Sequence, residues 1–258
     1  MIGAPIWRGD GRLSRAIYKA MKLGFSFVEI DLETIRPEEV RICRKTVMHG
    51  YHAPYTIPLS HHYPEIEKAA VKTLNRLIKQ AEKTNAMYLN IHLSFPHYRR
   101  LDSLTRRMWM NALRNLRSLA ERTPVEITVE NTPKHSWSDV RFFEDAVKIK
   151  DISLCLDVGH IVSKILEEKD MDEAFKVLRR WFRRFKGRIS LLHLHNVMFK
   201  DGKVMDHVAD GLLDLTEILS MAEKSGCERI LLEIFMDERG RGLRLEDMAR
   251  VARRILRR

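Results

Sequence analysis

Acidic and imidazole side chains stand where short apolar runs of this sequence end. The stretch CLDVGH, residues 155–160, closes one such run with a carboxylate at Asp157 and an imidazole at His160. On its own, this pair has two interpretations. Either Asp157 caps the next helix and His160 is an ordinary polar residue, or both side chains bind a metal ion. The ends of the other runs decide between them.

The same residue types end most of the later apolar runs. They are His52, His92, Glu130, Asp157, His193 and Glu233, with His160 and His207 in the segments that follow. A carboxylate inside an apolar run is costly to bury unless it is paired or bound to a cation. Because this cost recurs at consecutive run ends, a metal site explains it best. Carboxylate oxygens together with imidazole nitrogens suit Zn²⁺ or Mn²⁺.

Short apolar runs alternate with amphipathic segments along the whole chain. The runs predict strands at Ile2–Trp7, Phe27–Leu32, Gly50–Ala53, Met87–Leu93, Val125–Glu130, Ser153–Asp157, Ile189–His195 and Ile230–Phe235. The amphipathic segments predict helices at Leu13–Leu23, Pro37–Val47, Pro64–Thr84, Leu101–Arg122, Trp137–Ile149, Met171–Lys186, Leu213–Ser225 and Leu245–Leu256.

This alternation predicts the fold class and the face that carries the site. Continuous apolar runs are typical of parallel strands buried on both faces. Eight strand–helix units in 258 residues predict an α/β fold, a (β/α)8 TIM barrel spanning residues 1–258 as a single domain. Its functional site is expected at the carboxyl ends of the strands. A doubly wound sheet is the alternative, but the sequence lacks the Gly-rich phosphate motifs GxGxxG and GxxxxGK[ST].

Composition and charge restrict the cellular setting. The three cysteines are far apart, which argues against a disulfide framework and fits a reducing cytosol. No signal peptide pattern and no membrane-length apolar run occur, so we expect a cytoplasmic protein without a membrane partner. The net charge of +11 permits nucleic-acid binding. A single glutamine among many charged residues is typical of thermophilic proteins and offers a second explanation for the charge.

Six motifs in order resemble the xylose isomerase-like TIM-barrel superfamily: HAPY, NIHLS, VENT, CLDVGH, HLHN and LLEIF. The superfamily includes sugar phosphate isomerases and epimerases as well as endonuclease IV. The resemblance covers nearly the whole chain and implies a divalent metal cofactor, Mn²⁺ or Zn²⁺, with one to three ions. The motifs are specific for the superfamily and poor at choosing one of its members.

The two branches imply different metal counts. Epimerase-like members hold one ion with groups that match Glu130, Asp157, His193 and Glu233, and two metal-bound glutamates, here Glu130 and Glu233, act as the catalytic acid and base. Endonuclease IV holds three ions and adds groups that match His52, His92, His160 and His207. This chain has all eight residues. It departs at Met205, where endonuclease IV has Asp, and in the reduced Gly-rich run after His207.

Two functions therefore stay open. The first is a metal-dependent isomerase or epimerase that moves a proton beside a carbonyl of a sugar or sugar phosphate. In this case Arg239 or Arg241, in the loop after the eighth strand, is a candidate to bind a substrate phosphate. The alternative is an endonuclease IV-like phosphodiesterase acting on abasic DNA. Its best candidates for DNA contacts are Tyr98, Arg99 and Arg100.

Overall fold

The chain folds into alternating strands and helices, as its apolar periodicity predicts. The computed structural model describes residues 1–7, 9, 11–43, 47–92, 102–132 and 140–257. The strands are β1 (Ile2–Ile6), β2 (Phe27–Asp31), β3 (His49–His52), β4 (Tyr88–His92), β5 (Glu126–Glu130), β6 (Ile152–Asp157), β7 (Ile189–Leu194), β8 (Asn196–Lys200), β9 (Lys203–Val208) and β10 (Arg229–Leu232). The α-helices are α1 (Leu13–Lys22), α2 (Pro64–Thr84), α3 (Asp102–Ala120), α4 (Val140–Ala146), α5 (Val158–Leu166), α6 (Met171–Arg184), α7 (Leu215–Ser225) and α8 (Leu245–Leu256).

Eight of the strands form a closed barrel in the order β1-β10-β7-β6-β5-β4-β3-β2. The predicted (β/α)8 TIM barrel is therefore confirmed. The remaining strands, β8 and β9, form a separate antiparallel hairpin. Within the described residues, no helix combines the length and the apolar character needed to cross a lipid bilayer.

Three elements differ from the sequence-based prediction. The segment after β7, for which the sequence predicts no strand, forms the hairpin β8–β9. Helix α5 was not predicted, and it starts directly after Asp157, whose side chain accepts a hydrogen bond from the backbone N–H of His160 at 2.7 Å. The predicted helix at Pro37–Val47 is a 3-10 helix at Pro37–Cys43. The hairpin β8–β9 and helix α5 both place residues beside the strand ends.

Residues 30–154 form one compact unit of the chain. In its sheet, His52 lies opposite Asn90, and His92 lies opposite Glu130. Register partners on parallel strands present their side chains to the same face. Polar residues at the ends of β3, β4 and β5 are thereby brought together.

Helix α2 covers this unit with one apolar face. Its buried residues Leu74, Leu77 and Ile78 recur at helical spacing. Each contributes roughly 1.5–3 kcal/mol when fully buried. The helix ends at Thr84, whose hydroxyl lies 3.0 Å from the buried phenol of Tyr51 on β3.

Residues 1–29 and 155–258 form the second compact unit. Its strands β1, β10 and β7 are parallel neighbours, with Leu231 opposite His193. The side chain of Asn196 anchors the start of the hairpin, because it accepts hydrogen bonds from the N–H groups of Val197 and Leu213 and donates to the Leu213 carbonyl. The hairpin is therefore tied to the segment that leads into α7.

Candidate metal centre

The first group of converging ligand atoms lies in the unit of residues 30–154. His52, His92 and Glu130 end β3, β4 and β5. Nε2 of His92 lies 3.1 Å from Oε1 of Glu130, and Nε2 of His52 lies 3.5 Å from Oε2. The two imidazole rings meet edge to face with centroids 4.7 Å apart. Glu130 is 1% exposed, so its charge is removed from water.

The spacing of these atoms fits ligands of one ion. Tetrahedral ligands about 2.0–2.1 Å from Zn²⁺ lie about 3.3 Å from one another, which is close to both distances. Nε2 of His92 is buried and makes no hydrogen bond within the described part of the chain, despite its closeness to Glu130. A nitrogen that faces a carboxylate without hydrogen-bond alignment fits an ion placed between the two groups.

The carboxylate of Glu130 is oriented by two buried residues in a hydrogen-bonded series. The side-chain amide of Asn90 donates to Oε2 of Glu130, and the hydroxyl of Thr128 donates to Oδ1 of Asn90 at 2.8 Å. Both supporting residues are fully buried. Outer groups of this kind fix the orientation of a ligating carboxylate.

A second group lies in the unit of residues 1–29 and 155–258. Nδ1 of His193 lies 3.1 Å from Oε2 of Glu233 and 4.0 Å from Oδ2 of Asp157. All three side chains are buried. Two carboxylates that converge on one imidazole nitrogen repel each other unless a cation or a proton intervenes. This arrangement also fits a divalent ion.

A third group, in the same unit, consists of imidazoles. Nε2 of His160 and Nε2 of His207 are 3.3 Å apart, and a ring nitrogen of His195 lies within 4.8 Å of a ring nitrogen of each. The ring of His207 is stacked between His195, with centroids 3.9 Å apart, and Phe235, at 4.5 Å. His207 has a positive φ of 55°, a backbone conformation that is uncommon for residues other than glycine. The ring contacts on both sides hold His207 beside His160.

His195 connects the second and third groups. Its Nε2 lies 3.0 Å from Oδ1 of Asp157, and its Nδ1 accepts a hydrogen bond from the backbone N–H of His207 at 2.9 Å. Nδ1 accepts this N–H only when the ring proton lies on Nε2, where it is donated to Asp157; a proton on Nδ1 would instead face the carbonyl oxygen of Asn196 at 3.2 Å. His195 thus orients a candidate ligand from each group.

The two stacked imidazoles differ in their electrostatics. Burial lowers the pKa of His207, and the neighbouring His195 ring lowers it further, which favours the neutral form that binds metal ions. Burial also acts to lower the pKa of His195, but the carboxylates of Asp157 and Glu233 raise it to about 9.

The loop after β10 places the two candidate arginines differently. Arg241 makes a two-pronged ion pair with Asp237, with Nε and Nη2 each 2.6 Å from Oδ2. The hydrogen bonds from this loop, and the guanidinium of Arg241, lower the pKa of Asp237 below its usual range. Arg239 is largely exposed, and its Nε lies 3.9 Å from Glu238. Arg239 is therefore freer to contact a ligand than Arg241. The candidate DNA contacts Tyr98, Arg99 and Arg100 lie outside the described residues.

Two buried residues beside these groups, Glu29 and His195, are not among the residues that the sequence analysis singles out. Glu29 stands inside the apolar run FVEID of β2 and is 2% exposed; it carries the same signal as Glu130, a carboxylate within a buried strand. His195 follows His193 at strand spacing in the motif HLHN. Its role depends on contacts with Asp157 and His207, which the sequence does not reveal.

A family model described as the xylose isomerase-like TIM barrel matches residues 17–258. The chain belongs to this family. Solved structures with the same fold include 3-keto-D-glucoside 4-epimerase from E. coli, which is 15% identical, has a TM-score of 0.73 and aligns over 100% of this chain and 99% of its own. Endonuclease IV from Thermus thermophilus is 20% identical, with a TM-score of 0.68 and coverage of 99% and 98%.

The IOLI protein, solved with a zinc atom, is 13% identical, has a TM-score of 0.75 and covers 99% of this chain and 96% of its own. At these identities the likeness concerns the fold. No curated protein sequence matches the chain. Membership of this family does not distinguish a sugar epimerase from an endonuclease IV-like enzyme. The residues of the candidate site must distinguish these two functions.

Proposed function

We propose that the chain is a metal-dependent phosphodiesterase that works with more than one divalent ion. The observation that supports this function is the convergence of imidazoles beyond those a single ion needs. His52 and His92 meet at Glu130, and His160 meets His207 at 3.3 Å. A one-metal sugar isomerase leaves these four histidines without a chemical role. A phosphodiester substrate, of which abasic DNA is the class that the resemblance implies, gives them one.

The residues of the chain would perform distinct tasks in this reaction. Divalent ions lower the pKa of a bound water and offset charge on phosphate oxygens. Glu130 would hold its ion in a fixed direction, because Asn90 and Thr128 orient its carboxylate. His207 would supply an imidazole whose pKa is lowered by burial and by His195, which favours its neutral form. The net charge of +11 favours approach of a polyanionic substrate.

A metal-dependent isomerase or epimerase acting on a sugar or sugar phosphate is the second candidate. It is favoured by the group of Asp157, His193 and Glu233, whose two carboxylates and one imidazole suit a single Mn²⁺ or Zn²⁺. For that reaction the resemblance assigns Glu130 and Glu233 the roles of catalytic acid and base. That Glu130 shares one ion with these three residues stays a prediction. The assignment of residues 1–258 to a single domain also stays a prediction.

Metal content and product formation distinguish the two functions. Elemental analysis of purified protein is expected to find two or three ions per chain, and His92→Asn or His160→Asn should lower the number. His62→Asn, outside the three groups, serves as the matched control. A duplex with one abasic-site analogue should be cut, and an unmodified duplex should not. One ion per chain, no strand cleavage and turnover of a ketose would replace this function with the second candidate.

A further inference from the structure

His193 faces acidic groups on both edges of its ring. On the Nδ1 edge, the carboxylate oxygens of Glu233 and Asp157 lie at 3.1 Å and 4.0 Å. On the Nε2 edge, Oε1 of Glu29 lies at 3.5 Å. The ring is fully buried, and Glu29 is 2% exposed. The carboxylates of Glu233 and Asp157 thus converge on Nδ1, and the carboxylate of Glu29 faces Nε2.

The two ring nitrogens of His193 are suited to different roles, one to binding an ion and the other to donating a hydrogen bond. An ion needs several donors, and the Nδ1 edge is the one where donors converge. A neutral imidazole that binds an ion through one nitrogen carries its proton on the other nitrogen. That second N–H is usually donated to a carboxylate or a carbonyl, which fixes the tautomer and makes the ring a better ligand. Oε1 of Glu29 faces this nitrogen at 3.5 Å, although the two atoms are not aligned as a hydrogen bond. A small rotation of the ring or of the carboxylate would make Glu29 this acceptor.

Without such a role, burying the carboxylate of Glu29 at this position would destabilise the fold. It lies on β2 between Val28 and Ile30, both fully buried. Its Oε2 has no hydrogen-bond partner among the residues that the structure describes. A buried carboxylate with one unsatisfied oxygen destabilises a fold relative to an apolar side chain of similar size. A purely structural role in the strand would be served better by an aliphatic residue.

We propose that Glu29 is a positioning residue for the metal ligand His193. Its carboxylate accepts the Nε2–H of His193, holds the ring with Nδ1 toward Asp157 and Glu233, and increases the basicity of Nδ1. The inference rests on the metal centre of the proposed function, but it holds for either substrate class. It assigns a role to a carboxylate that does not itself touch the ion.

Glu29→Gln tests this role, because the amide keeps the shape of the side chain and removes its charge. The matched control is Glu33→Gln, a change at an exposed glutamate that follows the same strand. Zn²⁺ or Mn²⁺ is titrated into metal-free protein. We expect the Kd of Glu29→Gln to rise about 10- to 100-fold and that of Glu33→Gln to equal wild type. The melting temperature of metal-free Glu29→Gln should not fall, since a buried charge is removed.

A measurement on the wild type makes the test independent of how the variant folds. With ¹⁵N-labelled histidine, the ring of His193, assigned by its loss in His193→Gln, should carry its proton on Nε2 in the metal-loaded protein. Equal metal affinity in Glu29→Gln and wild type, or a His193 proton on Nδ1, would overturn the role of Glu29. If wild type itself binds no ion, the proposed function fails as well, so the two failures are distinguishable.

Discussion

The imidazole of His195 fills the space that a side chain at Gly159 would need. A Cβ built at Gly159 would lie 1.9 Å from Cε1 and 2.3 Å from Nδ1 of that ring. Gly159 is the second residue of α5, the helix that Asp157 caps. The absence of a side chain at one residue therefore permits the contact between His195 and Asp157.

Gly159→Ala should destabilise the protein by about 1–3 kcal/mol, as overpacking of a rigid site does. The sign is informative, because helix propensity alone would make alanine stabilising by about 1 kcal/mol. Thermal unfolding of the metal-free protein measures the change. Gly242→Ala is the control, since nothing lies within 4 Å of its Cβ position. A more stable Gly159→Ala would show that the ring of His195 moves aside freely.

Removal of metal should lower the melting temperature of the wild type. A ligand that binds only the native state stabilises it, by about 2.7 kcal/mol at a concentration of 100 Kd. Glu233→Gln should lose most of this response and have a metal-free form at least as stable as wild type, because repulsion between Glu233 and Asp157 is reduced. The measurement is a melting curve with chelator and with saturating Zn²⁺ or Mn²⁺. Identical wild-type curves would contradict the metal centre.

Glu67 should make stability depend on pH in the acid range. Burial acts to raise its pKa, but hydrogen bonds from the backbone N–H of His61 and from Asn115 and Ser60 lower it overall. A lowered folded-state pKa stabilises the fold above the ordinary carboxyl value and loses this effect as pH falls through the folded pKa. Glu67→Gln should thus cost about 1–3 kcal/mol near neutral pH.

The cost of Glu67→Gln should shrink as the pH falls below the ordinary carboxyl range. Urea unfolding at several pH values measures it. Glu65→Gln, an exposed change in the same first turn of α2, controls for the interaction with the helix dipole. A difference from wild type that stays constant from neutral to acid pH would mean that the ionised carboxylate is not the stabilising form.

The two arginines of the loop after β10 should respond differently to substitution. Arg241→Ala removes the partner of Asp237 and should lower the melting temperature, because the loop loses its ion pair. Arg239→Ala should leave the melting temperature unchanged and, if this loop binds a substrate phosphate, raise KM. Steady-state kinetics and melting curves on both variants separate the roles. Unchanged KM in both would remove this loop from substrate binding.

Much of the fold could be predicted from the sequence, and so could the residue types of the candidate site, because both depend on local patterns. Buried parallel strands require continuous apolar runs, so the eight barrel strands can be recognised in the amino-acid sequence. Glu130, Asp157 and His193 were identifiable because polar residues at the ends of such runs are costly without a partner. Glu29 carries the same signal at the interior of β2 and could have been found by it.

Only the tertiary structure decided which polar residues are partners. The pairing of His92 with Glu130 depends on the register of β4 and β5, and a shift by one residue would turn a side chain to the other face. The 3.3 Å approach of His160 to His207 requires α5 and the hairpin β8–β9, neither of which periodicity predicted. The site therefore follows from the sequence in its residue types, whereas its grouping arises from contacts between segments distant in the chain.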